Sequence, residues 1–136
     1  LKEMVDVSDL GIPFANSPLN TTRSYISSHR DVVLRALRAY CEAIQQIRLD
    51  KESALKILAK YARVEDPEIL QEVYRIYGSK HLEKVPYVRL EGVEEILRTL
   101  GKEAGSAKAA DFVDNSLLRE LNQEGLFRRL FPELKQ

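Results

Sequence analysis

The apolar residues that follow His29 recur with the period of an α-helix, and this pattern constrains the fold more than any other feature of the chain. From residue 33 they fall at offsets of 0, 3, 4, 7, 11 and 14: Val33, Ala36, Leu37, Tyr40, Ile44 and Ile47. These offsets place all of them on one side of a helix. The sequence therefore predicts a helix over about residues 30–48 with one buried face.

Local start signals predict a second and a third helix. Asp50 or Ser53 caps the second, because such side chains accept hydrogen bonds from N–H groups of the first turn. The stripe of the second helix consists of Ala54, Ile57, Leu58 and Tyr61, widened by Leu55 and Ala62. The third helix is predicted to begin at Asp66-Pro67-Glu68, because proline has no N–H to leave unpaired at the first helical position. This helix is expected to end at Gly78.

Two more helices are predicted in the C-terminal part of the chain. The fourth has a stripe made of Val93, Ile96, Leu97 and Leu100, and Gly101 ends it. The fifth begins at Asp114 or Ser116 and ends at Gly125. The segment after it is apolar, at Leu126, Phe127, Leu130 and Phe131. It must pack into a groove or remain exposed, and packing on its own protein is the commoner outcome.

The first 28 residues have a different pattern. Pro13 and Pro18 interrupt any regular helix. Residues 4–7 alternate, and residues 19–26 (LNTTRSYI) are rich in threonine, tyrosine and isoleucine, which suit a strand. The predicted fold class is mainly α, with about five helices after one or two short N-terminal strands. Such strands need a partner to be stable.

Charge and cysteine content exclude several classes of protein. The 21 Lys+Arg residues balance the 21 Asp+Glu residues, which argues against a general binder of nucleic acid or anionic membranes. No apolar run reaches the ~20 residues of a membrane-spanning helix. The single cysteine, Cys41, cannot form an intramolecular disulfide or a multi-cysteine zinc site.

Candidate catalytic groups are few. Cys41 lies on the apolar side of the first predicted helix and is interpreted as a small buried side chain. The two histidines, His29 and His81, are far apart in sequence and have no carboxylates at helical spacing beside them. Nucleophilic catalysis needs a nucleophile, a base and an orienting group together. We therefore expect neither a catalytic nor a metal site, and no cofactor.

The polar residues near the N-terminus are the best candidates for binding. They are neutral hydrogen-bonding groups: Asn16, Ser17, Asn20, Thr21, Thr22 and Ser24. In an extended segment, alternate side chains point to one side, so a cleft facing it would receive neutral donors and acceptors. Ordinary turn and strand chemistry explains the same residues equally simply.

An ordered set of short segments resembles the C-terminal part of the substrate-binding proteins of ABC importers for nitrate, sulfonate, taurine and related compounds. The same superfamily includes the binding proteins for thiamine-precursor pyrimidines. In chain order the segments are LGIPF at 10–14, TRSYI at 22–26, DVV at 31–33, RALRAY at 35–40, ALKILAKY at 54–61, DPE at 66–68, VPY at 85–87, EGV at 91–93, DFVDN at 111–115, EL at 120–121 and GL at 125–126. Each segment is common by itself, and their order and spacing carry the resemblance.

The resemblance implies a two-lobed α/β parent protein, longer than this chain, that closes around a small molecule. Residues 1–28 would end the second lobe and return as a hinge strand, and residues 29–136 would be the helical C-terminal part of the first lobe. The expected ligand-binding residues are Asn20, Thr21 and Thr22. The implied partners are a small-molecule ligand and an ABC permease, the implied location is the periplasm or another extracytoplasmic space, and no enzymatic activity is implied.

Two questions stay open at this point. A helical protein-interaction module without a small-molecule ligand fits the balanced charge and the lack of catalytic groups equally well. In addition, several broad apolar stripes and an unpaired strand would leave hydrophobic surface exposed. We therefore expect either a homo-oligomer or association with a complementing N-terminal fragment.

Overall fold

The computed structural model describes residues 11, 13, 15 and 19–134, except for the side chains of residues 79 and 80. This part of the chain is mainly helical and contains no strand. Its α-helices are α1 (Arg23–Ser28), α2 (Arg30–Leu49), α3 (Lys51–Ala62), α4 (Pro67–Val73), α5 (Leu90–Leu100), α6 (Ser116–Gln123) and α7 (Leu126–Leu130). The prediction that this chain is mainly α-helical is confirmed for these residues. Two helices more than expected are present because α1 and α7 are too short to show an apolar period.

The chain divides into two compact units. The first comprises Leu1–Thr21 and Tyr87–Asn115, and the second comprises Thr22–Pro86 and Ser116–Gln136. The predicted division at residue 28 concerns the lobes of a longer protein, and it stays a prediction.

The core of the second unit forms where α2 packs against α6 and α7. Buried side chains come from all three helices and from the residue after α7: Cys41, Ile44, Leu117, Leu118, Leu121, Leu126, Phe127, Leu130 and Phe131. The expected helix over 30–48 is confirmed almost to the residue. The apolar segment after Gly125 also packs on its own protein, and its side chains form part of this core.

Polar contacts at its margin hold this core in register. Arg30 forms a two-pronged ion pair with Glu120, with 3.0 Å between Nη1 and Oε1. Arg38 pairs with Glu124 over 2.7 Å. Since both arginines lie on α2, these pairs fix α2 against α6 and the turn that follows it. Exposed ion pairs contribute little individually to stability.

The capping predictions for α3 and α4 are confirmed. The Asp50 carboxylate accepts a 3.0 Å hydrogen bond from the Ser53 N–H at the start of α3. Asp66 accepts from the N–H groups of Glu68 and Ile69, and Pro67 occupies the first turn of α4. The pKa of Asp50 is lowered, and its hydrogen bonds with Ser53 are the largest cause. Each cap satisfies N–H groups that have no partner inside the helix.

The third predicted helix differs from the expectation at its C-terminal end. The α-helical part stops at Val73, and a π-helical turn continues from Tyr74 to His81. Gly78 lies inside this turn and does not end the helix. A Cβ at Gly78 would lie 3.0 Å from Cδ2 of Tyr74. The absence of a side chain thus lets the Tyr74 ring lie across the backbone of the following turn.

The strand predicted over residues 19–26 is wrong, because residues 19–22 have no regular secondary structure and residues 23–28 form α1. Thr22 stays extended and becomes the N-cap, where its Oγ1 accepts a 3.1 Å hydrogen bond from the Tyr25 N–H. Local capping therefore outweighs the strand preference of threonine, tyrosine and isoleucine. The other strand, proposed for residues 4–7, lies outside the described residues.

The first unit is organised around α5 and two 3₁₀ turns, Gly101–Ala104 and Ala109–Asp111. Gly101 ends α5 with a φ of 56°, which favours glycine. Asn115 bonds both main-chain groups of Val88: its Oδ1 accepts from the N–H at 3.1 Å, and its Nδ2 donates to the carbonyl at 2.8 Å. One amide side chain thus joins the extended segment before α5 to the end of this unit.

Candidate functional site

The three residues predicted to bind a ligand are all exposed. Asn20 and Thr21 have no regular secondary structure and close the first segment of the first unit. Thr22 begins the second unit, and its hydroxyl caps α1 and lies 3.0 Å from the Ser24 hydroxyl. Thr22 therefore has a structural role that the sequence interpretation did not assign. The other polar candidates, Asn16 and Ser17, lie outside the described residues.

The Ser28 hydroxyl lies beside a histidine, at 2.8 Å from Nδ1 of His29. However, the Ser28 hydroxyl donates to the main-chain carbonyl of Ser24, also over 2.8 Å. His29 also stacks on Tyr25, with ring centroids 4.5 Å apart. These contacts join the end of α1 to the start of α2.

Cys41 is buried, with none of its surface exposed. Burial raises the pKa of its thiol to about 11, and the charge of Glu42 adds to the shift. Because the thiolate is the reactive form, the thiol is chemically quiet near neutral pH. The interpretation of Cys41 as a packed core side chain agrees with this environment.

His81 ends the π-helical turn, and its ring lies 6.3 Å from that of Tyr77. Within the described part of the chain, no group of three or more His, Cys, Asp or Glu side chains is arranged to hold a metal ion.

An open polar groove lies against α3 and α4. Its lining side chains are two cations, Lys51 and Arg75, two carboxylates, Glu68 and Glu72, and the neutral Gln71. Arg75 forms a bidentate pair with Glu72, with distances of 2.8 Å and 2.6 Å, and this bond lowers the pKa of Glu72. Lys51 lies 5.4 Å from the centre of the Tyr74 ring. Since its charges largely compensate one another, the groove gives no strong preference for a charged ligand.

Two large apolar side chains are exposed on α3. Ile57 is 57% exposed and Tyr61 is 77% exposed, and their four-residue spacing places them on one face. We call this pair the α3 face. Both belong to the stripe that the sequence predicted to be covered, whereas Ala54 and Leu58 of the same stripe are half-buried. The predicted apolar stripe of α3 is therefore only partly buried within the second unit.

Comparison with protein-family models, with curated proteins and with solved structures finds no match for this chain. Within the described residues, no helix combines the length and the apolar character needed to cross a membrane.

Proposed function

We propose that this chain is part of the solute-binding component of an ABC importer, which captures a small molecule of the nitrate, sulfonate, taurine or pyrimidine-precursor class between two lobes. The observation that carries the proposal is the ordered resemblance of segments from residue 10 to residue 126. The protein acts in the periplasm or another extracytoplasmic space and delivers its ligand to an ABC permease. Its role is binding, without catalysis.

The positions of the helices support this proposal. The resembling segment 31–40 lies within α2, and the segment 54–61 lies within α3. The segment 66–68 forms the cap and first turn of α4. These three segments thus coincide with helices of the chain, whereas the segments 85–87 and 112–115 lie outside its α-helices.

The α3 face also supports the proposal. Ile57 and Tyr61 leave apolar surface exposed on one side of α3. In the proposed protein, this helical part completes a lobe whose remaining structure lies elsewhere in the sequence. The exposed apolar side chains are then surface that packs against that structure.

We assign ligand binding to Asn20, Thr21 and Thr22. Their neutral amide and hydroxyl groups are exposed and suit a small polar ligand, whose binding strengthens when lobe closure excludes water. The Thr22 hydroxyl accepts from the Tyr25 N–H and also lies 3.0 Å from the Ser24 hydroxyl, so part of its hydrogen-bonding capacity is already used at the start of α1. Because changes at Thr22 also disturb α1, Asn20 and Thr21 are the better positions for a test.

A second candidate function is that of a helical protein-interaction module without a small-molecule ligand. The specific observation in its favour is again the α3 face, because an exposed apolar pair on a helix is suited to grip a partner segment. The coding sequence before Leu1 separates the two candidates. A signal peptide followed by alternating strands and helices supports the importer component, and a start codon close to Leu1 supports the module.

Calorimetric titration of the full-length parent protein tests the proposal directly. Nitrate, alkyl sulfonates, taurine and a thiamine-precursor pyrimidine are titrated separately, and we expect saturable heat from one class. The Asn20→Ala/Thr21→Val double variant should bind that ligand at least tenfold more weakly. The control, Asn122→Ala/Thr99→Val, removes the same polar groups from exposed helical positions and should bind as the unchanged protein does.

The two parts of the proposal fail separately. No heat from any of the four classes contradicts the assignment to this importer family. Saturable binding that the Asn20→Ala/Thr21→Val variant leaves unchanged keeps the family and contradicts the assigned residues. A loss of binding in the control variant as well would show a general effect on folding, and a thermal unfolding curve of each variant identifies that case.

A further inference from the structure

We draw no further inference here: the strongest candidate, the exposed α3 face of Ile57 and Tyr61, carries nothing beyond the proposals above because nothing in the structure shows what covers it.

Discussion

The hydroxyl of Tyr74 donates a 2.8 Å hydrogen bond to the main-chain carbonyl of Ile47. Ile47 lies in the last turn of α2, where carbonyl groups have no N–H partner further along the same helix. The bond therefore satisfies a part-buried acceptor and ties the end of α2 to the start of the π-helical turn. Arg48 makes a second tie nearby, by donating to the Leu82 carbonyl over 2.7 Å.

Removal of the Tyr74 hydroxyl should destabilise the protein. We expect Tyr74→Phe to lower the free energy of unfolding by about 1 kcal/mol, because the Ile47 carbonyl loses its side-chain donor while the ring remains. Urea denaturation followed by circular dichroism measures the change. The matched control is Tyr61→Phe, whose side chain is largely exposed and which should leave stability unchanged. Equal losses in the two variants would contradict the proposed role of the bond.

Gly78 and Tyr74 should be energetically coupled. Gly78→Ala adds a Cβ that would lie 3.0 Å from the Tyr74 ring, and we expect it to cost about 1–3 kcal/mol through displacement of that ring. In a Tyr74→Ala background the ring is absent, so the same change should cost much less. A double-mutant cycle measured by chemical denaturation gives the coupling. Equal costs of Gly78→Ala in both backgrounds would show that steric contact with the ring is not the reason for glycine there.

The ion pair between Arg30 and Glu120 should contribute to the acid sensitivity of the fold. The hydrogen bond that the Glu120 carboxylate accepts from Arg30 holds the pKa of Glu120 below its usual value. A carboxyl group with a lowered folded-state pKa stabilises the protein above its unfolded-state pKa of about 4.3, and this stabilisation is lost as the pH falls through the folded-state value.

Melting temperatures measured between pH 7 and pH 2.5 test this dependence. We expect Glu120→Gln to lower the melting temperature at pH 7 and to reduce its decline towards low pH. Glu103→Gln is the control, because it removes an exposed carboxylate outside this pair. If Glu120→Gln and the unchanged protein lose the same number of degrees on acidification, the pair does not contribute to the pH dependence.

The Cys41 thiol should react only when the protein opens. Its side chain is fully buried and its pKa is raised to about 11 by that burial, so at pH 8 both access and thiolate content are low. Iodoacetamide labelling followed by mass spectrometry should be slow under native conditions and fast in 6 M urea, a general denaturing condition. Native labelling as fast as that of a free thiol would place Cys41 at the surface and contradict its position in the core of the second unit.

The sequence was most informative where local chemistry alone determines the structure. The bounds of α2 and the caps at Asp50 and Asp66 depend on residues within a few positions of one another, and all three agree with the prediction. The predicted stripe of α2 is only partly buried: Ile44 is buried, Val33, Leu37, Tyr40 and Ile47 are half-buried, and Ala36 is exposed. The strand over residues 19–26 was wrong because the Thr22 hydroxyl, paired with the Tyr25 N–H, favours a helix start in a segment whose composition favours a strand.

Features that depend on distant residues were not predictable from the sequence. The π-helical turn forms where the Tyr74 ring lies against Gly78 and the Tyr74 hydroxyl donates to the Ile47 carbonyl. No local period in the sequence predicts this turn. The pairing of Arg30 with Glu120 likewise joins residues far apart in the chain. For the candidate ligand-binding residues, only the residue types could be read from the sequence, and the structure adds the capping role of Thr22.

The α3 face should promote association of the isolated chain. Ile57→Glu/Tyr61→Glu replaces both exposed apolar side chains with charged ones and should reduce association, because burial of apolar surface drives it. The variant adds two negative charges, so the control is Lys102→Glu, which changes the net charge by the same amount at an exposed position. We expect the control to associate as the unchanged chain does.

Light scattering of the isolated chain over a concentration series is the most direct test of the claim that these helices are part of a larger binding protein. The account predicts an average mass above the 15.6 kDa of one chain, rising with concentration, and a smaller rise for Ile57→Glu/Tyr61→Glu. A constant mass of one chain at every concentration, with a compact hydrodynamic radius, would contradict it.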